Sequence, residues 1–334
     1  MAQLTVGLIG AGGISHAHAP SWRALGHDVV VYAEKGASEL AEAYGLTLAG
    51  SLDELLGSVD VVDICTPTPT HAELALAAIA AGLDVICEKP IARTAADARR
   101  VADAATERGV SVFPAHVVRY FPEYAALHAA VQAGRLGELA ILRFSRGGAA
   151  PSADWFFDEA AAGGLVLDQM IHDLDQARWI AGEVVAVMAT QNPPTVDGVS
   201  PRIAVAHVTL THASGALSHV QGSWGPAGVE FVTSFDAAGS SGRLQYDSRA
   251  RREITSNVPP RAGSTSYLPT LSGDNPYASE LREFVAAIEG GPTPRVTIND
   301  GILAIGLAEA ALDSVRTGQT VPFDELLILT GVAA

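Results

Sequence analysis

Cysteine is nearly absent from this sequence: Cys65 and Cys87 are the only two in 334 residues. Two thiols make no disulfide framework. Each closes a Val/Ile-rich run that reads as a buried strand, so both are expected as reduced neighbours in one sheet. Charge is also scarce, at 17% against 48% apolar residues, which argues against extensive disorder and implies a well-buried core. Positive charge is scarcer still. The 21 Lys and Arg are outnumbered by 37 Asp and Glu, for a formal net charge of −16. A polyanion would be repelled, so no nucleic-acid partner is expected. The one tight basic group, Arg249, Arg251 and Arg252, reads as a solvated loop or hairpin.

Long apolar runs are missing too. None without charge approaches the roughly 18 residues needed to span a bilayer, so no membrane is expected. No basic segment precedes Leu4, and the run from Leu4 to Ile9 leads directly into glycines, which makes it a strand and not a secretion signal. These absences point to a reducing, cytoplasmic location. No internal repeat is visible, and the length exceeds what one core usually fills, so two domains are expected.

The first half alternates strand and helix. Apolar strands are expected at 4–9, 29–32, 61–65, 84–87 and near 110–113, with helices from the glycines to Leu25 and at 37–44, 71–81 and 94–108. Thr94 followed by Asp97 reads as a helix N-terminus, a hydroxyl cap with an acid in the first turn. Thr70 is placed to cap the helix after it. Continuous apolar strands separated by helices imply a parallel sheet covered on both faces, doubly wound, with its ligand crevice at the carboxyl ends of the strands.

That rule gives the stretch Gly10-Ala11-Gly12-Gly13-Ile14-Ser15 its meaning. The first glycine allows the tight turn and the second lets backbone N–H groups approach a pyrophosphate. The helix start at Gly13 and Ile14 supplies partial positive charge. Ser15 replaces the usual third glycine and is small enough for the helix to pack. Glu34, just past the second strand, can accept hydrogen bonds from the adenosine ribose and favours NAD; the adjacent Lys35 leaves NADP open. The loop Thr66-Pro67-Thr68-Pro69-Thr70-His71 lies where it would border the cofactor, with Thr66, Pro67 and His71 as contacts. Glu88-Lys89-Pro90 follows a buried strand directly, so Lys89 cannot easily reach away from the crevice.

After Arg119 the alternation stops. A helix through Val131 and a strand at 139–144 precede the stretch DQMIHDLD, residues 168 to 175. Wound at about 100° per residue, it puts Asp168, His172 and Asp175 on one narrow face beside an apolar stripe of Leu167, Ile171 and Leu174. β-like runs at 184–190, 203–211, 216–223 and 229–236 follow, separated by Gly-Ser hairpin signals at 213–215 and 239–242. They imply a largely antiparallel sheet, open on one face and a candidate subunit interface. Residues 261–276 form a Pro/Gly/Ser-rich loop of the kind that covers sites, and helices at 278–289 and 299–316 close the chain. The expected fold is an α/β Rossmann domain at 1–118 and an α+β substrate-binding and oligomerisation domain at 119–334, whose last helix packs back on the first.

The glycine loop, Thr66-Pro67 with His71, Glu88-Lys89-Pro90, His116 with Arg119-Tyr120-Phe121-Pro122, and Gly163-Gly164-Leu165-Val166-Leu167-Asp168 with His172 and Asp175 together resemble the glucose–fructose oxidoreductase / inositol dehydrogenase family (Gfo/Idh/MocA). The likeness spans essentially the whole chain. Ser15, two glycines instead of three before Leu165, and a short loop after Glu34 depart from the pattern. The resemblance implies an NAD- or NADP-dependent enzyme acting on a ring hydroxyl or carbonyl of a sugar, cyclitol or derivative, with Lys89, Asp168 and His172 as catalytic set. Loss of the hydroxyl proton needs a base within hydrogen-bond reach, a role that suits His172. Asp168 is expected to hydrogen-bond the imidazole or a neighbouring substrate hydroxyl, and Lys89 to polarise the reacting oxygen. Asp175 is expected to tether the helix or bind a hydroxyl. His116, Tyr120 and Trp155 are the substrate-side candidates; His16 and His18 read as packing or surface residues. A homodimer or homotetramer through the C-terminal sheet is expected. Three other readings compete: a redox-neutral glycosidase or lyase that oxidises a sugar transiently, a cofactor-binding regulator without chemistry, and a metal site of Asp168, His172 and His116. The last leaves the lysine unexplained and gains no cysteine ligand, so no metal is expected.

Overall fold

The computed structural model describes residues 3–250 and 275–332. In the first half the strands are β1 (Thr5–Ile9), β2 (Asp28–Tyr32), β3 (Thr47–Leu48), β4 (Val61–Ile64), β5 (Asp84–Glu88) and β6 (Val112–Ala115); the central β1, β4 and β5 are apolar runs buried on both faces, and the edge strand β3 is exposed. All six run parallel in the order β3-β2-β1-β4-β5-β6. Helices α1 (Ser15–Ala24), α2 (Ala37–Tyr44), α3 (Leu52–Leu56), α4 (His71–Ala80) and α5 (Ala95–Arg108) connect them. This is the doubly wound sheet expected, and its strand order reverses between β1 and β4, where the crevice opens. β3 and α3 are too short to leave a periodic signal. Cys65 and Cys87 are buried, free thiols at the ends of paired strands, Cys87 in register with Ile64.

α5 starts as its sequence dictates, the Thr94 hydroxyl accepting the Asp97 N–H at 3.0 Å. α4 does not. A 3₁₀ turn at Thr68–Thr70 leads into it and leaves Thr70 already helical, so its hydroxyl bonds the Pro67 carbonyl at 2.8 Å and the Thr66 hydroxyl at 2.7 Å instead of capping.

The second half contains α6 (Pro122–Gln132), β7 (Leu139–Ala149), α7 (Glu159–Ala162), α8 (Ile171–Ala181), β8 (Val184–Asn192), β9 (Ala204–His212), β10 (Leu217–Gly225), β11 (Val232–Gly239) and β12 (Gly242–Asp247). After them come α9 (Pro276–Ile288), α10 (Ile298–Thr317), β13 (Val321–Pro322) and α11 (Glu325–Thr330). Seven strands form one sheet, ordered β12-β11-β7-β10-β9-β8-β13. Both hairpin signals close antiparallel pairs, β9 with β10 and β11 with β12. The central pair of β7 and β10 is parallel, a long-range crossover that no turn residue announces. Alternation along β7 and β10 buries Leu142, Phe144, Val220 and Trp224 beneath α8 and leaves Arg143, Ser145, His219 and Gln221 on the open face. Arg249 is exposed and paired with Asp247; Arg251, Arg252 and the loop at 261–274 lie outside the described residues. Asn275, next in the chain, caps α9 by accepting the Tyr277 N–H at 3.1 Å.

Two late helices return to the first sheet. α10 packs on α5, α8 and β8. α9 packs on α1, placing Leu281, Phe284 and Val285 in one core with Val6, Leu8 and Trp22. The Phe284 ring stacks on Phe113 with centroids 5.0 Å apart. Among the described residues, no helix is long and apolar enough to cross a membrane. Phe284→Ala is expected to destabilise the protein by about 3–5 kcal/mol, the usual cost of a large aromatic in a core that cannot collapse. Urea unfolding measures it, and a loss below about 1 kcal/mol would contradict this packing.

Candidate active site

The glycine loop joins β1 to α1 at the reversal point. Gly10 has φ +114°, and a Cβ there would sit 2.5 Å from the Cys65 carbonyl oxygen, so only glycine lets the ends of β1 and β4 approach. Ser15, in the third glycine's place, is fully buried and its hydroxyl donates to the Gly10 carbonyl at 3.0 Å. The departure from the pattern thus ties the helix to its loop.

A cleft of about 1460 Å³ runs from Glu34 and Lys35, past residues 10–14 and 66–71, to Glu88, Lys89, Asp168 and His172. That exceeds the roughly 300–1,000 Å³ of a small-ligand pocket and has room for a dinucleotide beside a small substrate. Gly10, Gly12, Gly13 and Ile14 line it at the start of a ten-residue helix, and Glu34 at its far end. This donor set and shape fit NAD. His71 fixes the adjoining loops, its two ring nitrogens lying 2.7 Å from the Pro90 and the Thr66 carbonyl oxygens.

Lys89, from the end of β5, meets the second half of the chain here. Its Nζ donates to the Asp168 carbonyl at 2.6 Å and lies 3.5 Å from Asp168 Oδ1. Asp168 belongs to a π-helical turn, Val166–Met170, that precedes α8. The regular α-helix expected over DQMIHDLD is therefore interrupted at its first residues, a distortion often found at functional sites. The expected bond from Asp168 to the imidazole is absent: the Asp168 side chain faces Lys89, and His172 Nδ1 is buried without a partner. Burial, then the charges of Lys89 and Arg146, hold the His172 imidazolium well below the ordinary histidine range, so the ring is neutral and free to take a proton.

Asp175 is turned away from the cleft. It receives two hydrogen bonds from Arg119, Nε at 2.8 Å and Nη2 at 2.5 Å, with both side chains buried. Asp173, which sequence reasoning passed over, forms a second buried fork with Arg146 at 2.9 and 2.8 Å. Two carboxylates on one helix, each clamped by an arginine from another element, fix the rotation of α8 and with it His172.

The substrate-side expectations divide. Trp155 lines the cleft, its ring stacked 3.8 Å from that of Phe156, another wall residue. His116 and Tyr120 do not line it. His116 is buried behind the site, 3.7 Å from Asp175, and Tyr120 is packed edge-on against Phe284 at 6.2 Å; the strand end carrying them is covered by α9 and α10. His16 is near the surface, 3.1 Å from the Tyr44 hydroxyl. His18 is fully buried between Asp63 and Glu88, a placement the helix pattern did not signal.

A family profile described as an oxidoreductase family with an NAD-binding Rossmann fold (GFO/IDH/MocA) matches residues 4–116, and the GFO/IDH/MocA C-terminal domain matches residues 124–245. The myo-inositol 2-dehydrogenase of Thermotoga maritima is 30% identical over 97% of this chain and 100% of its own. An inositol 2-dehydrogenase of Rhizobium meliloti is 32% identical over 92% and 96%. The crystal structure of GenD2 from gentamicin A biosynthesis, in complex with NAD, superposes with a TM-score of 0.83 at 26% identity, covering 97% of both chains.

Replacing Asp175 with Ala leaves the Arg119 guanidinium buried and short of its main partner, which is expected to cost about 3–5 kcal/mol. Chemical denaturation reads this directly. A variant as stable as the parent would show that the fork does not hold α8.

Proposed function

The chain belongs to the GFO/IDH/MocA family of oxidoreductases, and from that premise we propose that Lys89, Asp168 and His172 carry the chemistry of its cleft. It is an NAD(P)-dependent oxidoreductase acting on CH–OH groups of sugars, cyclitols or their derivatives: its family is described as NAD-binding, and relatives are named as inositol 2-dehydrogenases, a 1,5-anhydro-D-fructose reductase and an NADP(+) D-xylose 1-dehydrogenase. The observation that carries the residue assignment is that Lys89, Asp168 and His172 line one cleft, with Lys89 Nζ 2.6 Å from the Asp168 main-chain carbonyl and 3.5 Å from its carboxylate.

In this reading the backbone around Gly10, Gly12, Gly13 and Ile14 holds the pyrophosphate, and Glu34 the adenosine ribose, with NAD preferred to NADP. Thr66, Pro67, His71 and Glu88 border the nicotinamide half. When bound, the cofactor supplies the two-electron acceptor. His172, kept neutral, takes the proton of the reacting hydroxyl. Lys89 holds that oxygen and opposes negative charge on it. Asp168 keeps the ammonium in place and offers its free carboxylate oxygen to a neighbouring hydroxyl. The flat Trp155 and Phe156 wall suits the apolar face of a ring. We place the protein in the cytoplasm, where Cys65 and Cys87 stay reduced, divide the chain into domains at 118/119, and assign the open face of the second sheet to a homo-oligomer contact.

A screen of NAD and NADP reduction across inositols, hexoses and anhydrosugars, followed by NADH absorbance, tests the function. His172→Ala is expected to lower turnover by about 10²- to 10⁴-fold, the usual worth of a general base, while NAD affinity is retained. Because the base must be unprotonated and its pKa is depressed, kcat/KM for alcohol oxidation should fall only as pH drops below 6.5, the ordinary histidine value. Wild-type turnover in the variant, or an acidic limb above that value, would reject His172 as the base.

A further inference from the structure

Beneath the cleft, His18 of α1 is held between two carboxylates from neighbouring strands. Its Nδ1 lies 2.8 Å from Asp63 Oδ2 and its Nε2 3.2 Å from Glu88 Oε1, all three side chains buried. A neutral imidazole has one N–H, so it could donate to one carboxylate only and would turn a lone pair on the other. A doubly protonated ring satisfies both. Asp63 is held in turn by Trp22 Nε1 at 2.6 Å. The second oxygen of Glu88 accepts the backbone N–H of Lys89 at 3.0 Å, and Glu88 itself borders the cleft.

From this geometry we infer that His18 is a positioning residue: an imidazolium clamped between Asp63 and Glu88, it fixes Glu88 as the acceptor that orients the Lys89 backbone and so aims the lysine at Asp168. The inference rests on the reading of Lys89 as a group that touches substrate. Among the described residues packed around it, none offers another base for this place. Tyr277, from α9, presents its ring to His18 with centroids 5.7 Å apart. Glu280, also from α9, is buried with both oxygens unpartnered; burial, then the charge of Glu88, pushes its pKa well up, so it is a neutral acid. Cys65 and Cys87 are held as neutral thiols, Cys65 pushed up to about 12 by burial and the Asp63 charge. His71, on the far side of Glu88, is engaged with backbone carbonyls.

The charge state is consistent with the contacts. Burial, the largest single influence, works against the His18 cation, but the charge and hydrogen bond of Asp63 together with the contribution of Cys65 raise its pKa well above 6.5. Burial likewise works to raise Glu88, and the His18 hydrogen bond and charge hold it low. Removing His18 therefore leaves burial to protonate Glu88 and loosens the acceptor under Lys89.

Nitrogen-15 NMR of the histidine rings in the full-length protein tests the first half of this claim without any turnover. One ring should remain doubly protonated at about pH 8, where ordinary histidines are neutral, and its signal should vanish in His18→Gln. In Glu88→Gln the new amide can donate to the ring, so the same signal should titrate with a lowered pKa. Kinetics test the second half. His18→Gln should lower kcat by about 100-fold, the scale of a displacement of about 1 Å at a reacting group, with NAD affinity retained and the acidic limb of kcat/KM moved upward. The His18→Gln/Glu88→Gln double variant should lose no more than the worse single one. A ring neutral at about pH 8 in the parent overturns the inference. So does a His18→Gln enzyme whose pH profile and kcat are unchanged while only its melting temperature falls. If His18→Gln fails to fold, the titration in Glu88→Gln decides alone. If the parent oxidises no sugar or cyclitol yet the ring stays protonated, the proposed function fails while the clamp stands.

Discussion

One hydrogen bond spans the two halves of this molecule at the point where they have to agree: Lys89 Nζ to the Asp168 carbonyl, 2.6 Å, between residues 79 apart in sequence. Everything the cleft can do depends on that separation being held. Neither partner holds it unaided. Lys89 is a flexible side chain, and a lone ammonium-to-carbonyl bond is worth only a few kcal/mol at most. The surroundings hold it instead: a parallel sheet that ends at Glu88, an α8 helix clamped by two buried arginine forks, and α9 and α10, which fasten the end of the chain to the first sheet.

The electrostatics follow from the same burial. An arginine fork taken out of water is stable only when its carboxylate comes with it, and Arg119 with Asp175 and Arg146 with Asp173 meet that condition on opposite sides of one helix. Between them His172 has burial and positive neighbours, and no carboxylate bonded to it. Its pKa goes down. His18, fully buried, lies between two carboxylates and its pKa goes up. Two imidazoles of one chain are thus set to opposite protonation states by partners that the fold supplies, one able to accept a proton and one committed to holding an anion.

Much of this was legible in the residues. The parallel strands were plain because burial on both faces requires continuous apolar runs, and Gly10 was plain because the tight turn after β1 calls for a glycine; that the approach of β1 to β4 also leaves no space for a Cβ was not. Lys89, Asp168 and His172 could be picked out as a group, and all three line one cleft. What escaped was non-local or too short. The π turn at Val166–Met170 has the apolar pattern of an ordinary helix, so the rotation of Asp168 toward Lys89 was hidden. His116 and Tyr120 follow a strand end where ligands often sit, but α9 and α10, encoded over 150 residues later, cover that end. His18 looked like a packing residue because its partners, Asp63 and Glu88, are 45 and 70 residues away. The parallel pairing of β7 with β10 was missed for the same reason, since turn residues reveal only the neighbours they connect.

The most direct measurement is a crystal structure of the ternary complex with reduced cofactor and an oxidisable cyclitol or sugar. One ring hydroxyl is expected within about 3 Å of both Lys89 Nζ and a ring nitrogen of His172, hydrogen-bond reach for a base and its polarising partner, with the carbon that bears it against the nicotinamide. A substrate seated elsewhere in the cleft, with no hydroxyl near that pair, would contradict it.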